Sequence, residues 1–284
     1  MSTRILFSAP SWAWPGLVNG ADLVDVSASA EEPAMPAALL KTPTFSEQWR
    51  ATGVASIEIS FQFSEPRPVA LVALAYHNFP DTAQIAIELR FAGTPVYVSE
   101  PEPASPVANW GELAWGAFPL GALAEPPQRE TFFHPILETP SLGRHPNREP
   151  RHVTADAGTL RIDGLDPSSH AQAAMLHLGP VHQPSVSYAR DIELSPEIEN
   201  LHIRRAQRLS LGFPTRADVR WFETWQTRYP RHPLAVIPRP DAPATWRHRA
   251  GFWIRQDGSV RGESAVGRYD KLTLDLLEWG RVRL

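Results

Sequence analysis

Ile57-Glu58-Ile59-Ser60-Phe61-Gln62-Phe63 opens the stretch IEISFQFSEPRPVALVALAYHNFPDTAQIAIELRF, Ile57 to Phe91, whose reading decides the fold. Its apolar residues stand at every second position, so in a strand all four fall on one face and Glu58, Ser60 and Gln62 on the other. That is the pattern of a half-buried strand. After Pro66 and Pro68, which predict a turn, Val69-Ala70-Leu71-Val72-Ala73-Leu74-Ala75-Tyr76 is apolar on both faces, as a strand covered on both sides must be. Ile85, Ile87, Leu89 and Phe91 then alternate again with Ala86, Glu88 and Arg90. Burying four such side chains contributes roughly 6 to 12 kcal/mol before entropy is counted, at about 1.5 to 3 each. The stretch predicts a β-sandwich core and holds no catalytic motif.

The rest of the composition agrees with a folded, mostly β chain. With 284 residues, 43% hydrophobic and 20% charged, the sequence has room for two domains of ordinary size. A net charge of -4 argues against a bulk electrostatic grip on nucleic acid or an anionic membrane. With no cysteine, disulfides, thiolate catalysis and Cys-based metal centres are excluded. The first residues, MSTRILFSAPSWAWPG, lack a signal-peptide core, and no run approaches the ~20 apolar residues of a membrane span. Synthesis in a cytoplasm without membrane insertion is therefore expected. Proline, at 29 residues, is about twice as frequent as the ~5% average, which favours short strands joined by extended loops over long helices.

Along the chain, residues 1 to about 56 give short apolar clusters: Trp12 and Trp14, Leu23 to Val26, Leu39-Leu40, and Trp49. We read them as the first strands of the sandwich. From Val96 to His152 periodicity disappears and Pro, Trp, Glu and Arg dominate. A loop of that length inside a domain is uncommon and usually functional or packed on a neighbour, so the 96–152 insertion is the candidate contact surface. Strands return at Thr159 to Asp163 and Ala174 to Leu178, and a boundary is placed at 183/184. The second part, 184–284, predicts strands around Ile192 to Ile198, Leu201 to Leu211, Leu234 to Pro238, Gly251 to Arg255 and Leu272 to Leu276. Between them Thr215-Arg216-Ala217-Asp218 is a capping-box-like start for a helix over 215–229, with Trp221, Trp225 and Tyr229 four residues apart. The fold class is thus mainly β: a jelly-roll-like antiparallel β-sandwich over 1–183 with a long Pro/Trp-rich insertion, then a smaller α+β domain.

Each candidate for chemistry has a bland counterpart. His77-Asn78, at the end of a buried strand, could meet a ligand at the sandwich rim or simply hold the next turn. Asp156, Asp163 and Asp166 offer hard-cation oxygens, but at a spacing that matches no calcium loop. The ten histidines include no metal-ligand pair followed by a general base, and no nucleophile elbow, phosphate loop or dinucleotide fingerprint is present. Two scattered carboxylates of a hydrolase would leave no local signature, yet no enzymatic activity is expected, and neither cofactor nor metal. Trp12, Trp14, Trp110 and Trp115 suit sugar stacking, core filling or an interface. Trp110 and Trp115, inside the insertion, are the candidate interface or glycan contacts. Arg204, Arg205 and Arg208 are candidates for a solvated or subunit-facing strand edge.

Leu74-Ala75-Tyr76-His77-Asn78-Phe79, with Trp49, Thr159 to Asp163 and Met175-Leu176-His177-Leu178-Gly179, resembles structural proteins of the tail tips of long-tailed, siphovirus-type bacteriophages. Arg208-Leu209-Ser210-Leu211-Gly212-Phe213, the aromatic helix, Pro233 to Pro238 and Lys271 to Leu276 extend the resemblance over most of the chain. It implies a discoidin-like, galactose-binding-type sandwich. It also implies a virion component, a homo-oligomeric ring or tip bound to other tail proteins such as the tail tube, tape measure, hub or fibres. The alternative is a carbohydrate-binding module that reads host-surface glycan at the sandwich rim.

Overall fold

The computed structural model describes residues 6–8, 24–41, 47–105, 130–138, 149–183, 189–199, 202–212, 215–228, 233–237, 240–244, 247–248, 252–256, 261–265, 268–278 and 282–283. The alternating stretch forms the Ser56–Val69 strand, with Ile57, Ile59, Phe61 and Phe63 all buried. It sits in a six-stranded sheet in the order Val24–Ala28, Ser56–Val69, Val153–Asp163, Gln84–Phe91, Thr94–Val98, with Glu102–Pro103 also paired to Gln84–Phe91. A three-stranded sheet of Met175–Gly179, Leu71–His77 and Glu130–Pro135 lies across the core from it. Every pairing in both sheets is antiparallel. This is the expected β-sandwich.

The chain passes between the sheets at Ala70 alone, whose N–H donates to Gly179 O (2.9 Å) and whose carbonyl accepts from Ile136 N (2.8 Å). Pro66 and Pro68 therefore do not make the expected turn: the strand runs straight through them to Val69. The partner strand Val24–Ala28 pairs only as far as Phe63, and a bulge between Ala155 and Ala157 interrupts the other neighbour, so missing proline N–H groups leave few ladder bonds unmade.

The apolar run Leu71–His77 has the two-sided burial its sequence demands, and the second covering layer comes from the other half of the chain. Val72, Leu74, Phe132, Leu176 and Leu178 face the sandwich core with Ile59 and Leu160. Leu71, Ala73, Ala75, Phe133 and Met175 face the opposite way, onto Leu6, Val181, Ala235, Ile237 and Trp253. Those last residues belong to a nine-stranded sheet whose path is Val181–His182, Leu6–Ser8, Leu234–Ile237, Phe252–Gln256, Arg268–Glu278, His202–Gly212, Ala189–Glu199. Residues 6–8 and 181–182 thus join the sheet of the second half, across the boundary that the sequence suggests at 183/184.

Two further expectations change. Leu39-Leu40 lies in a 3-10 helix, Ala37–Lys41, where Leu40 is buried, and not in a strand. The 96–152 insertion is not one loop, because Glu102–Pro103, Glu130–Pro135, Leu137–Glu138 and Glu149–Pro150 are strands. Phe132-Phe133 shows no alternation because each ring fills a different core, on opposite faces of one strand.

The helix forms as expected, Arg216–Arg228. Its capping box is complete: Asp218 N–H donates to Thr215 Oγ1 (3.2 Å), and Thr215 N–H donates back to Asp218 Oδ2 (2.8 Å). Val219, Phe222 and Trp225 form its buried stripe.

Candidate functional site: a buried polar cluster between the two halves

The greatest concentration of buried ionisable groups among the described residues lies where the sandwich meets the second half. Four short segments converge there. Tyr97 comes from Thr94–Val98, Glu102 from Glu102–Pro103, His134 from Glu130–Pro135, and Arg247-His248 from a turn in which Arg247 N–H donates to Pro243 O (3.0 Å). Arg247 and His248 are only 6% and 4% exposed, although both are polar. Groups so deeply desolvated persist only when their bonds are met.

They are met in full. Arg247 donates through Nε to Phe133 O (2.7 Å), through Nη1 to Ala242 O (3.3 Å) and through Nη2 to the Glu102 carboxylate. The same Glu102 oxygen lies 2.9 Å from His134 Nδ1. With the proton on Nδ1, His134 donates to Glu102 and its Nε2 accepts from the Tyr97 hydroxyl at 2.6 Å. His248 has a fixed tautomer, because Phe133 N–H donates to its Nδ1 (3.0 Å), leaving Nε2–H to donate to Pro103 O (3.0 Å).

The electrostatics follow from this wiring. Burial alone would raise the Glu102 pKa, but the hydrogen bond from His134, with the charge of Arg247, holds it below the usual carboxylate range. Burial lowers the Arg247 pKa, and the Glu102 charge opposes that shift. Burial drives His248 down to about 3, helped by the Arg247 charge, so its ring is neutral near neutral pH. The order hydroxyl, imidazole, carboxylate through Tyr97, His134 and Glu102 has the outline of a nucleophile relay. Its charges point the other way. Burial, and then the Glu102 charge, raise the Tyr97 pKa, which disfavours a phenolate, and Arg247 already holds the carboxylate. The side-chain bonds of the cluster all run within the chain.

The residues singled out from sequence fall elsewhere. His77 is wholly buried, stacked on Phe79 at 4.5 Å, and accepts from Phe79 N–H through Nδ1 (3.3 Å). Burial lowers its pKa to about 3, and the ring offers no surface to a ligand at the rim. Asn78 stitches the sandwich end: Nδ2 donates to His170 O (3.0 Å) and Oδ1 accepts from Gln172 N (2.8 Å). Both residues thus bond to backbone at this end of the sandwich. Asp156 accepts from Ala92 N–H (2.8 Å), Asp163 pairs with Arg161 (2.9 Å), and Asp166 makes a local turn with Ser168 (2.9 Å). No three His, Asp or Glu side chains among the described residues are grouped to hold a metal ion.

Arg204, Arg205 and Arg208 lie on His202–Gly212, an interior strand between Ala189–Glu199 and Arg268–Glu278, and not on a sheet edge. The backbone register sets Arg204 opposite Glu197 and Arg208 opposite Glu193. The edge is the acidic neighbour, Ala189–Glu199. Trp12, Trp14, Trp110 and Trp115 lie outside the described residues.

Sequence reasoning misses Glu102, His134, Arg247 and His248. Glu102 sits between Pro101 and Pro103, His134 follows two phenylalanines, and Arg247-His248 is flanked by Trp246 and Arg249. Nothing local links them, since their separations run up to 145 positions.

No protein-family model matches the sequence, and no curated protein does. Solved structures with a similar course of chain include the family 32 carbohydrate-binding module of C. perfringens NanJ in complex with galactose, at 12% identity and TM-score 0.37, covering 62% of this chain and 99% of that one. A chitosan-binding module of a Paenibacillus sp. IK-5 chitosanase/glucanase matches at 9% identity and TM-score 0.38, covering 61% and 99%. The family 32 module of AlyQ in complex with 4,5-unsaturated mannuronic acid matches at 19% identity and TM-score 0.29, covering 55% and 95%. Likenesses of this strength identify neither a family nor a ligand.

Proposed function

We propose that the protein is a non-enzymatic binding scaffold, in which sandwich and second half act as one body that presents surfaces to a partner. The observation that carries this is the shared middle layer: Leu71–His77 is packed on one face by the sandwich core and on the other by Leu6, Ala235, Ile237 and Trp253. The polar cluster supports the same reading, because its titratable groups are engaged internally and Tyr97 is poorly disposed to act as a nucleophile. For the partner, surface glycan comes first. An antiparallel sandwich carries loops at its rims that suit sugar recognition, and Trp110 and Trp115 are the sequence's candidates for stacking on sugar rings. The test is a glycan array with the whole chain: saturable binding lost in Trp110→Ala or Trp115→Ala, with solution mass unchanged, supports it.

Assembly into a bacteriophage tail tip is the second reading. The sequence motifs at Leu74 to Phe79 and Arg208 to Phe213 favour it, together with the long strand Ala189–Glu199 at one edge of the nine-stranded sheet. Mass spectrometry of purified virions tests it, and absence of the chain from them would overturn it.

A further inference from the structure

Two strands flank residues 106–129, and they belong to different sheets. Glu102–Pro103 is bonded to Gln84 and Ile85 in the six-stranded sheet, and Glu130–Pro135 to Leu71–His77 in the three-stranded one. At this end of the sandwich a single dipeptide from the second half holds both. Arg247 reaches the Glu102 carboxylate on one side and Phe133 O on the other. His248 does the same with backbone groups, Pro103 O on one side and Phe133 N–H on the other. Phe132 packs on the His248 ring at 4.9 Å, so the grip has an apolar wall. Hydrophobic contact tolerates sliding, whereas four directional bonds from adjacent residues fix a spacing.

We propose that Arg247-His248 is a conformational coupler, through which docking of the second half sets the separation of the two sandwich sheets at the point where residues 106–129 leave and rejoin them. Coupling of this kind is reciprocal. A partner that shifts either strand is felt at Arg247, and a partner that shifts the second half is felt at both strands. The groups that face the pair are Glu102, His134 and Tyr97 from the sandwich and the carbonyl of Ala242 from the second half.

Amide hydrogen exchange on the full chain, read by mass spectrometry, tests this. Arg247→Met keeps the aliphatic stem and removes the donors. It should speed exchange about tenfold over Glu102–Ser105 and Thr131–His134, while Ile57–Phe63 and Leu160–Asp163 stay protected. Glu102→Gln, made in the sandwich, should in turn speed exchange in Leu234–Ile237 and around Arg247. Unchanged exchange in both flanking strands of Arg247→Met overturns the proposal. So does an effect of Glu102→Gln confined to its own strand. Should Arg247→Met fail to fold, the near-isosteric Glu102→Gln decides the matter alone.

Discussion

Lowering the pH from 7 to 4.5 should remove most of the stability of this protein, through three histidines that the fold keeps neutral. Burial lowers His77, His177 and His248 from 6.5 to about 3. Each then gains its proton only when the chain unfolds, so below pH 6.5 the unfolded state takes up protons that the folded state refuses. Stability is full above that value, declines as pH falls, and stops declining near pH 3, where the folded rings also protonate. At pH 4.5 the folded rings are still neutral, and each histidine costs on the order of 3 kcal/mol. A domain of ordinary stability, about 5 to 15 kcal/mol, has little to spare against that. Glu102 acts in a lower window, because its depressed pKa keeps it charged until pH falls below the usual carboxylate value of 4.5.

Urea unfolding followed by tryptophan fluorescence is the assay, since Trp49 and Trp253 are buried and change surroundings on unfolding. The slope between pH 6 and 4 should approach about 4 kcal/mol per pH unit, the value for three protons. In His177→Gln, where a ring packed on Trp253 at 5.1 Å gives way to a group that does not titrate, the slope should fall by about a third. A stability profile flat from pH 7 to 5, or an unaltered slope in His177→Gln, would refute the reasoning.

Other substitutions probe single links. Asn78→Ala removes the bonds to His170 O and Gln172 N and should cost about 2 to 3 kcal/mol by urea unfolding, with Asn78→Asp, which keeps the acceptor, losing less. Gly158→Ala should cost about 1 to 3 kcal/mol, because a Cβ there would stand 2.5 Å from Glu88 O and 2.6 Å from the Phe61 ring. Thr215→Ala removes the helix cap and should cost about 1 kcal/mol, read as a lower melting temperature by circular dichroism.

The local fold was legible where one periodicity governed it. Ile57 to Phe63 alternates because one of its faces is wet, and the helix over 216–228 announced itself through Thr215 and Asp218. The double apolar face of Leu71 to Ala75 was legible too, but the identity of its second cover was not. Leu6 and Trp253 are distant in sequence, and contacts between distant segments leave no mark on either one. Prolines misled at Pro66 and Pro68 because the cost of a missing N–H depends on whether a neighbour needs it, which only the sheet decides. The polar cluster was illegible for a related reason: Glu102, His134 and Arg247 are ordinary surface residues until the fold closes over them. His77-Asn78 stands out in sequence as a polar pair at a strand end, and its bonds run to His170, Gln172 and Phe79.

The short strand Leu6–Ser8, seated between Val181–His182 and Leu234–Ile237, constrains how the chain can be made. Its neighbours are synthesised long after it, at roughly 5 to 20 residues per second, so residues 6–8 wait on the order of tens of seconds for a place in their sheet. Through that interval the outer face of Leu71, Ala73 and Ala75 has no cover. The sandwich core on the other face of Leu71–His77 contains none of these late residues, so it is the outer face alone that waits for the second half.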